Sequence, residues 1–105
     1  MDPDKRVVVT HTAMNVGFRL WPHFAPGIII ALLEVAIRSG RITKYLNAPS
    51  FLVRSEDFPG IGLIVAENLD RITIITLKTQ AEIKGSEFLD DGWNPNDPTA
   101  SQRPA

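Results

Sequence analysis

The stretch GIIIALLEVAIRSGRITKYL, residues 27–46, changes texture at Gly40, and that change decides the fold. Before Gly40, Ile28 to Leu33 and Val35 to Ile37 are apolar, and the only charges are Glu34 and Arg38, four residues apart. That spacing suits a helix pair. Pro26 stands just ahead, where a helix tolerates proline because the first N–H groups have no partner. Gly40 stands just behind and suits a left-handed helix stop. A helix reaching to Gly40 is predicted. Apolar groups cover nearly its whole circumference, so it is expected to be buried on most sides. Either a sheet and another helix wrap it, or it lies in a dimer interface. Its longest apolar run is far short of the roughly 18 residues a membrane span needs.

Downstream of Gly40 the chain is rich in β-branched residues. RITKYL (41–46), SFLVRS (50–55), IGLIVAE (61–67) and RITIITLKT (71–79) read as strands. Turn residues separate them: Asn47-Ala48-Pro49, Glu56 through Gly60, and Asn68-Leu69-Asp70. Such short connections imply antiparallel pairing. Upstream, RVVVT (6–10) has strand composition, and Thr10 is placed to cap a helix over HTAMNVGFRL (11–20). WPHFAP (21–26), with two prolines, reads as a rigid connection. The predicted fold is α+β: an N-terminal strand and two helices on one face of a three- or four-stranded antiparallel meander.

Residues 1–80 are expected to form this single domain. Residues 81–105 are expected to be a polar, acidic, partly disordered tail, because Pro95, Pro98 and Pro104 lie among Asn, Ser and Gln. Phe88, Leu89 and Trp93 are its apolar exceptions, suited to docking on the body or on a partner. Charge follows the same division. The first 80 residues carry nine Lys/Arg against seven acids, and the tail carries two against five. Apolar residues make up 44% of the chain and charged residues 22%, an ordinary globular balance. The absence of cysteine excludes disulfides, thiolate metal sites and a cysteine nucleophile. Two histidines without HExxH spacing argue against a metal site. Neither a cofactor nor a metal is expected. The acids ahead of the short run Val7 to Val9 are unlike a signal peptide, which makes the cytoplasm the expected location.

Several side chains are suited to chemistry. His11, following a short strand, carries an imidazole of the kind suited to general acid/base work, or it is a surface imidazole near a helix cap. Arg19, eight residues on, holds a guanidinium able to grip phosphate or to pair with an acid. Thr76 and Lys78 share one face of the last strand by simple alternation, together with Ile72 and Ile74, so core packing competes with function there. Arg54 and Arg71 extend a basic surface or form the wet face of their strands. Trp21, His23, Phe24 and Tyr45 are candidates to line a small-molecule site, or to stack as an aromatic cluster. FPGIG (58–62) is a turn, since neither GxGxxG nor GxxxxGK[ST] occurs.

The segment THTAMNVGFR (10–19), followed by the apolar helix, FLVRSE and GLIVAENLDRITIITL, resembles the small bacterial and phage domains of the barnase, colicin-nuclease and RelE-like endoribonuclease group. The likeness covers about residues 5–79. It implies metal-independent RNA cleavage in a toxin–antitoxin or mobile-element setting. His11 would be the acid/base, Arg19 and Arg54 would hold phosphate, and Thr76 or Lys78 would support it. RNA and an antitoxin-like protein are then the implied partners. The competing expectation is a non-enzymatic module, either a homodimer through the apolar helix 28–37 or a binder of small molecules. No membrane partner is expected.

Overall fold

The computed structural model describes residues 2, 4–47 and 49–84. Its elements run β1 (Arg6–Val9), α1 (His11–Leu20), α2 (Pro26–Ser39), β2 (Arg41–Tyr45), β3 (Ser50–Arg54), β4 (Ile61–Glu67), β5 (Arg71–Thr79) and α3 (Gln80–Lys84). The tail aromatics Phe88 and Trp93, with Leu89, lie outside the described residues.

Strands β2 to β5 form the predicted meander, each antiparallel to the next. The sheet is nonetheless five-stranded and mixed, in the order β1-β5-β4-β3-β2, because β1 adds parallel to β5 with Val7 opposite Ile72 and Val9 opposite Ile74. The expectation of a purely antiparallel sheet is corrected here. Short turns dictate the pairing of β2 to β5, but the chain between β1 and β5 crosses the whole domain. No local turn chemistry therefore announces that pair.

The core lies between one sheet face and the two long helices. Ala13 of α1 and Ile29, Leu33, Ala36 and Ile37 of α2 pack on Phe51, Val53, Leu63, Val65, Ile72, Ile74 and Leu77. Burying a side chain such as Leu33 or Ile29 stabilises by roughly 1.5–3 kcal/mol. Gly17 permits the close approach of α1 and α2: a Cβ there would lie 2.8 Å from Ile29 Cγ2.

Three expectations about local structure are settled. Thr10 caps α1 as predicted, its hydroxyl oxygen accepting from the Ala13 N–H at 3.2 Å. Pro26 opens α2 as predicted. Gly40 follows α2, but it is extended, with φ −86° and ψ 171°, and not left-handed. Its glycine is required by space: a Cβ would lie 2.6 Å from both the Ala36 carbonyl oxygen and Val53 Cγ1.

The expectation that α2 is buried on most sides is also corrected. One face is sealed, but Ile28 is 51% exposed, Ile30 38% and Val35 50%. The sheet and α1 together cover only one side of a helix that is apolar nearly all round.

A bulge in β5 redirects side chains. Ile64 faces Thr76 and the next residue, Val65, faces Ile74, which leaves Ile75 as the extra residue. Ile72, Ile74 and Leu77 therefore share the helix-covered face. Thr76 and Lys78 lie on the opposite face, level with Ile64 and Gly62. The simple alternation that grouped Thr76 and Lys78 with Ile72 and Ile74 fails at the bulge, because one inserted residue reverses the facing of all that follows.

Candidate functional site

The five side chains assigned to catalysis are distributed over both layers. His11 opens α1 and is exposed. It follows Thr10, whose hydroxyl donates to the carbonyls of Ile75 at 2.7 Å and Ile74 at 3.1 Å. His11 thus opens α1 where β1 leaves β5. Arg19 is exposed at the far end of the same helix, roughly 12 Å along its axis at 1.5 Å per residue. It is close enough to Glu82 to help hold that carboxylate ionised.

Lys78 pairs with Glu82 at 3.8 Å. Glu82 also completes a capping box at the start of α3, accepting from the Thr79 N–H and hydroxyl, each at 3.1 Å. Those two bonds lower the Glu82 pKa first, and Lys78 and Arg19 add to the effect. The sequence T-Q-A-E (79–82) carries this capping signature in plain view, although the expected domain ended at residue 80. Ile83 of α3 is buried, and a Cβ on Gly62 would lie 2.8 Å from its Cδ1.

Arg54 was expected on a basic surface or a wet strand face. It is only 1% exposed. One Nη donates to the Pro59 carbonyl at 3.0 Å and to the Gln80 side-chain oxygen. These bonds tie the β3–β4 loop and the start of α3 to the centre of the sheet. Arg71 pairs with the adjacent Asp70 at 3.1 Å at a hairpin tip. The structure thus sets Thr76, Lys78 and Arg54 on one sheet face, brings Arg19 toward Lys78 through Glu82, and leaves His11 at the opposite end of α1.

The four residues proposed for a small-molecule site also separate. Trp21 is the C-cap of α1 and packs against the core, while Tyr45 ends β2 at the sheet edge, 75% exposed and tilted against Phe51 with ring centroids 6.2 Å apart. Three strand spacings, roughly 14 Å, lie between β5 and β2. His23 and Phe24 are exposed in the α1–α2 connection.

Two clefts flank the point where α2 passes into β2. One, of about 290 Å³, runs beside Ile37, Ile42 and Ile72 with Arg38 and Arg41 at its margin. The other, of about 220 Å³, is lined by Ser39, Arg41, Arg54, Ser55, Glu56 and Asp57. Its two serines form a directed chain. Ser39 donates its single hydroxyl hydrogen to the Val35 carbonyl at 2.8 Å, so the 2.7 Å contact between the hydroxyls is a donation from Ser55. Ser55 in turn accepts from the Asp57 N–H at 3.2 Å. Both hydroxyls are committed to holding the end of α2 on the β3–β4 loop, and neither is poised as a nucleophile.

Three of the exposed large apolar side chains among the described residues, Ile28, Ile30 and Val35, lie on α2. At 100° per residue, Ile28, Ala31, Leu32 and Val35 fall on one stripe, about 120° around the helix from the buried Ile29, Leu33 and Ala36. Phe24, 43% exposed, lies one turn before it. Sequence reasoning found the apolar helix but not which arc of it stays bare. Among the described residues no helix is long and apolar enough to cross a membrane. Among them, also, no three His, Asp or Glu side chains gather as metal ligands. Comparison with protein-family models, curated proteins and solved structures gives no match.

Proposed function

We propose that this chain is a non-enzymatic module that forms a homodimer through the outer stripe of α2. The observation that carries the reading is the half-exposure of Ile28 and Val35 on a stripe with Ala31 and Leu32. Positions i, i+3, i+4 and i+7 are the anchor set of a helix that docks on another surface. A second copy is the favoured occupant because the stripe repeats about its own centre. In an antiparallel pair with a two-fold axis between Ala31 and Leu32, Ile28 of each copy meets Val35 of the other, and the small Ala31 lets the axes approach. A two-fold interface requires such a self-complementary patch. The RNA-cleavage reading, in contrast, needs Arg54 at phosphate, and that side chain holds Pro59 and Gln80.

Sedimentation equilibrium tests the proposal. The wild-type chain should sediment at twice its 11.6 kDa mass, and Val35→Glu should sediment as a folded monomer. A wild-type monomer at roughly 100 μM, or a Val35→Glu dimer, would sink the reading.

A further inference from the structure

We propose that the sheet face turned away from α1 and α2 is a docking surface for the chain's own residues 85–105, which seat Phe88, Leu89 and Trp93 on it. The inference stands apart from dimerisation and rests on a second set of buried apolar side chains.

Leu52, Ile64 and Ala66 are buried but take no part in the core beneath the two long helices. Leu52 of β3 is the cross-strand partner of Ile64 of β4, so both leave the sheet on the same side. Ala66, two residues beyond Ile64, joins them by alternation. α3 begins to cover this face: a Cβ on Gly62 would lie 2.8 Å from both Ile83 Cδ1 and Leu52 Cδ1. The five residues of α3 span only about 7.5 Å at a helical rise of 1.5 Å each. Along β4, Gly62 to Ala66 is roughly 13 Å, and β2 lies roughly 10 Å to the side. A helix of that length covers one end of the face, and the other end needs a further layer.

The occupant follows from where α3 ends. The chain leaves it at Lys84, with α3 packed on β4 and β5. At about 3.3 Å per residue, Phe88 reaches roughly 13 Å beyond that point and Trp93 roughly 30 Å. Both distances suffice for Leu52, Ile64 and Ala66. Charge agrees with this placement. Residues 85–105 carry Glu87, Asp90, Asp91 and Asp97 against Arg103. On β2, Lys44 and Arg41 are the register partners of Leu52 and Arg54, so they edge the same face. Lys78 of β5 lies on it level with Gly62. Lys78 already shares Glu82, so the attraction is that of the summed field and not of one ion pair.

The test uses the full chain, isotope-labelled, which has no cysteine of its own. A nitroxide on Asn94→Cys, beside Trp93, should abolish the amide signals of Leu52, Ile64 and Ala66 and spare those of Leu33 and Ala36 in α2. Adding Phe88→Ser and Leu89→Ser should restore the lost signals while the α2 shifts stay in place. If that combined variant does not fold, the pattern from Asn94→Cys alone decides. Equal broadening of α2 and β4 amides, or no broadening at all, overturns the proposal. So does broadening that persists in the folded serine variant. An equal mixture of labelled unmodified chain with unlabelled nitroxide chain tests the remaining occupant. Loss of the Leu52 and Ile64 signals in that mixture would assign the segment to a second copy and overturn docking within one chain.

Discussion

Gly40, Gly62 and Gly27 have three different surroundings, and substitution at each should read differently. A Cβ on Gly40 meets backbone, the Ala36 carbonyl oxygen at 2.6 Å, which no side-chain rotation relieves. On Gly62 it meets Ile83 Cδ1 and Leu52 Cδ1 at 2.8 Å and Arg54 Cδ at 3.0 Å, side-chain atoms and not backbone. On Gly27 nothing lies within 4 Å. Urea unfolding should therefore show Gly40→Ala destabilised by about 2–3 kcal/mol and Gly62→Ala by less. Gly27→Ala should be neutral or stabilised by about 0.5 kcal/mol, since it gains helix propensity in open space. The reverse order for Gly40 and Gly27 would contradict the packing described.

Glu67 carries a pH prediction. In the folded chain the Asp2 N–H at 3.0 Å, and then Lys5 at 3.1 Å, hold its carboxyl below the ordinary 4.5. An unfolded chain takes up that proton at higher pH than the folded one does. The stabilising contribution is thus present above the unfolded value and is lost as pH falls through the lowered folded value. Stability measured between about pH 5 and pH 3 should fall less steeply in Glu67→Gln than in wild type. Identical slopes would show that the N-terminal segment is not tied to β4 through this carboxylate.

At the level of elements, Thr10 joins sheet to helix. Its hydroxyl accepts at the first turn of α1 and donates to β5, so Thr10→Val removes a cap and leaves the Ile75 carbonyl without that donor. The loss should be about 1–2 kcal/mol by chemical denaturation. Thr10→Ser, which keeps both bonds, should recover most of it. The cap was legible because a Thr before a helical pattern has one common use. The bulge at Ile75 was not, because nothing in RITIITLKT marks which residue the partner strand skips. The extended Gly40 was equally hidden, since glycine answers both to a left-handed backbone and to lack of room, and only the neighbours distinguish the two. For the same reason Arg54 read as surface charge: alternation along β3 puts it on a face, and only α3 and the β3–β4 loop make that face an interior.

Over the whole molecule, α2 is the element whose two sides have unequal fates. If its bare stripe pairs with a second copy, folding and association are linked, and thermal stability depends on concentration. The wild-type Tm should rise by several degrees between roughly 5 and 500 μM chain, while Val35→Glu should melt at one temperature throughout. At one edge of the sheet, β2 is short and carries Arg41 and Lys44 with an irregular register between Ile42 and Lys44. These features discourage strand-to-strand association at that edge.

Local information in the chain was enough for the number and type of the main elements, the cap on α1, the start and end of α2, and the α+β class. Each of these depends on neighbours within a few residues, through hydrogen bonding, turn chemistry or apolar period. Tertiary structure decided the parallel pairing of β1, the facing of Thr76 and Lys78, the sealing of Arg54 and the bare arc of α2. Those depend on groups tens of residues away in the chain, whose approach is governed by how the layers fill space and not by any adjacent residue.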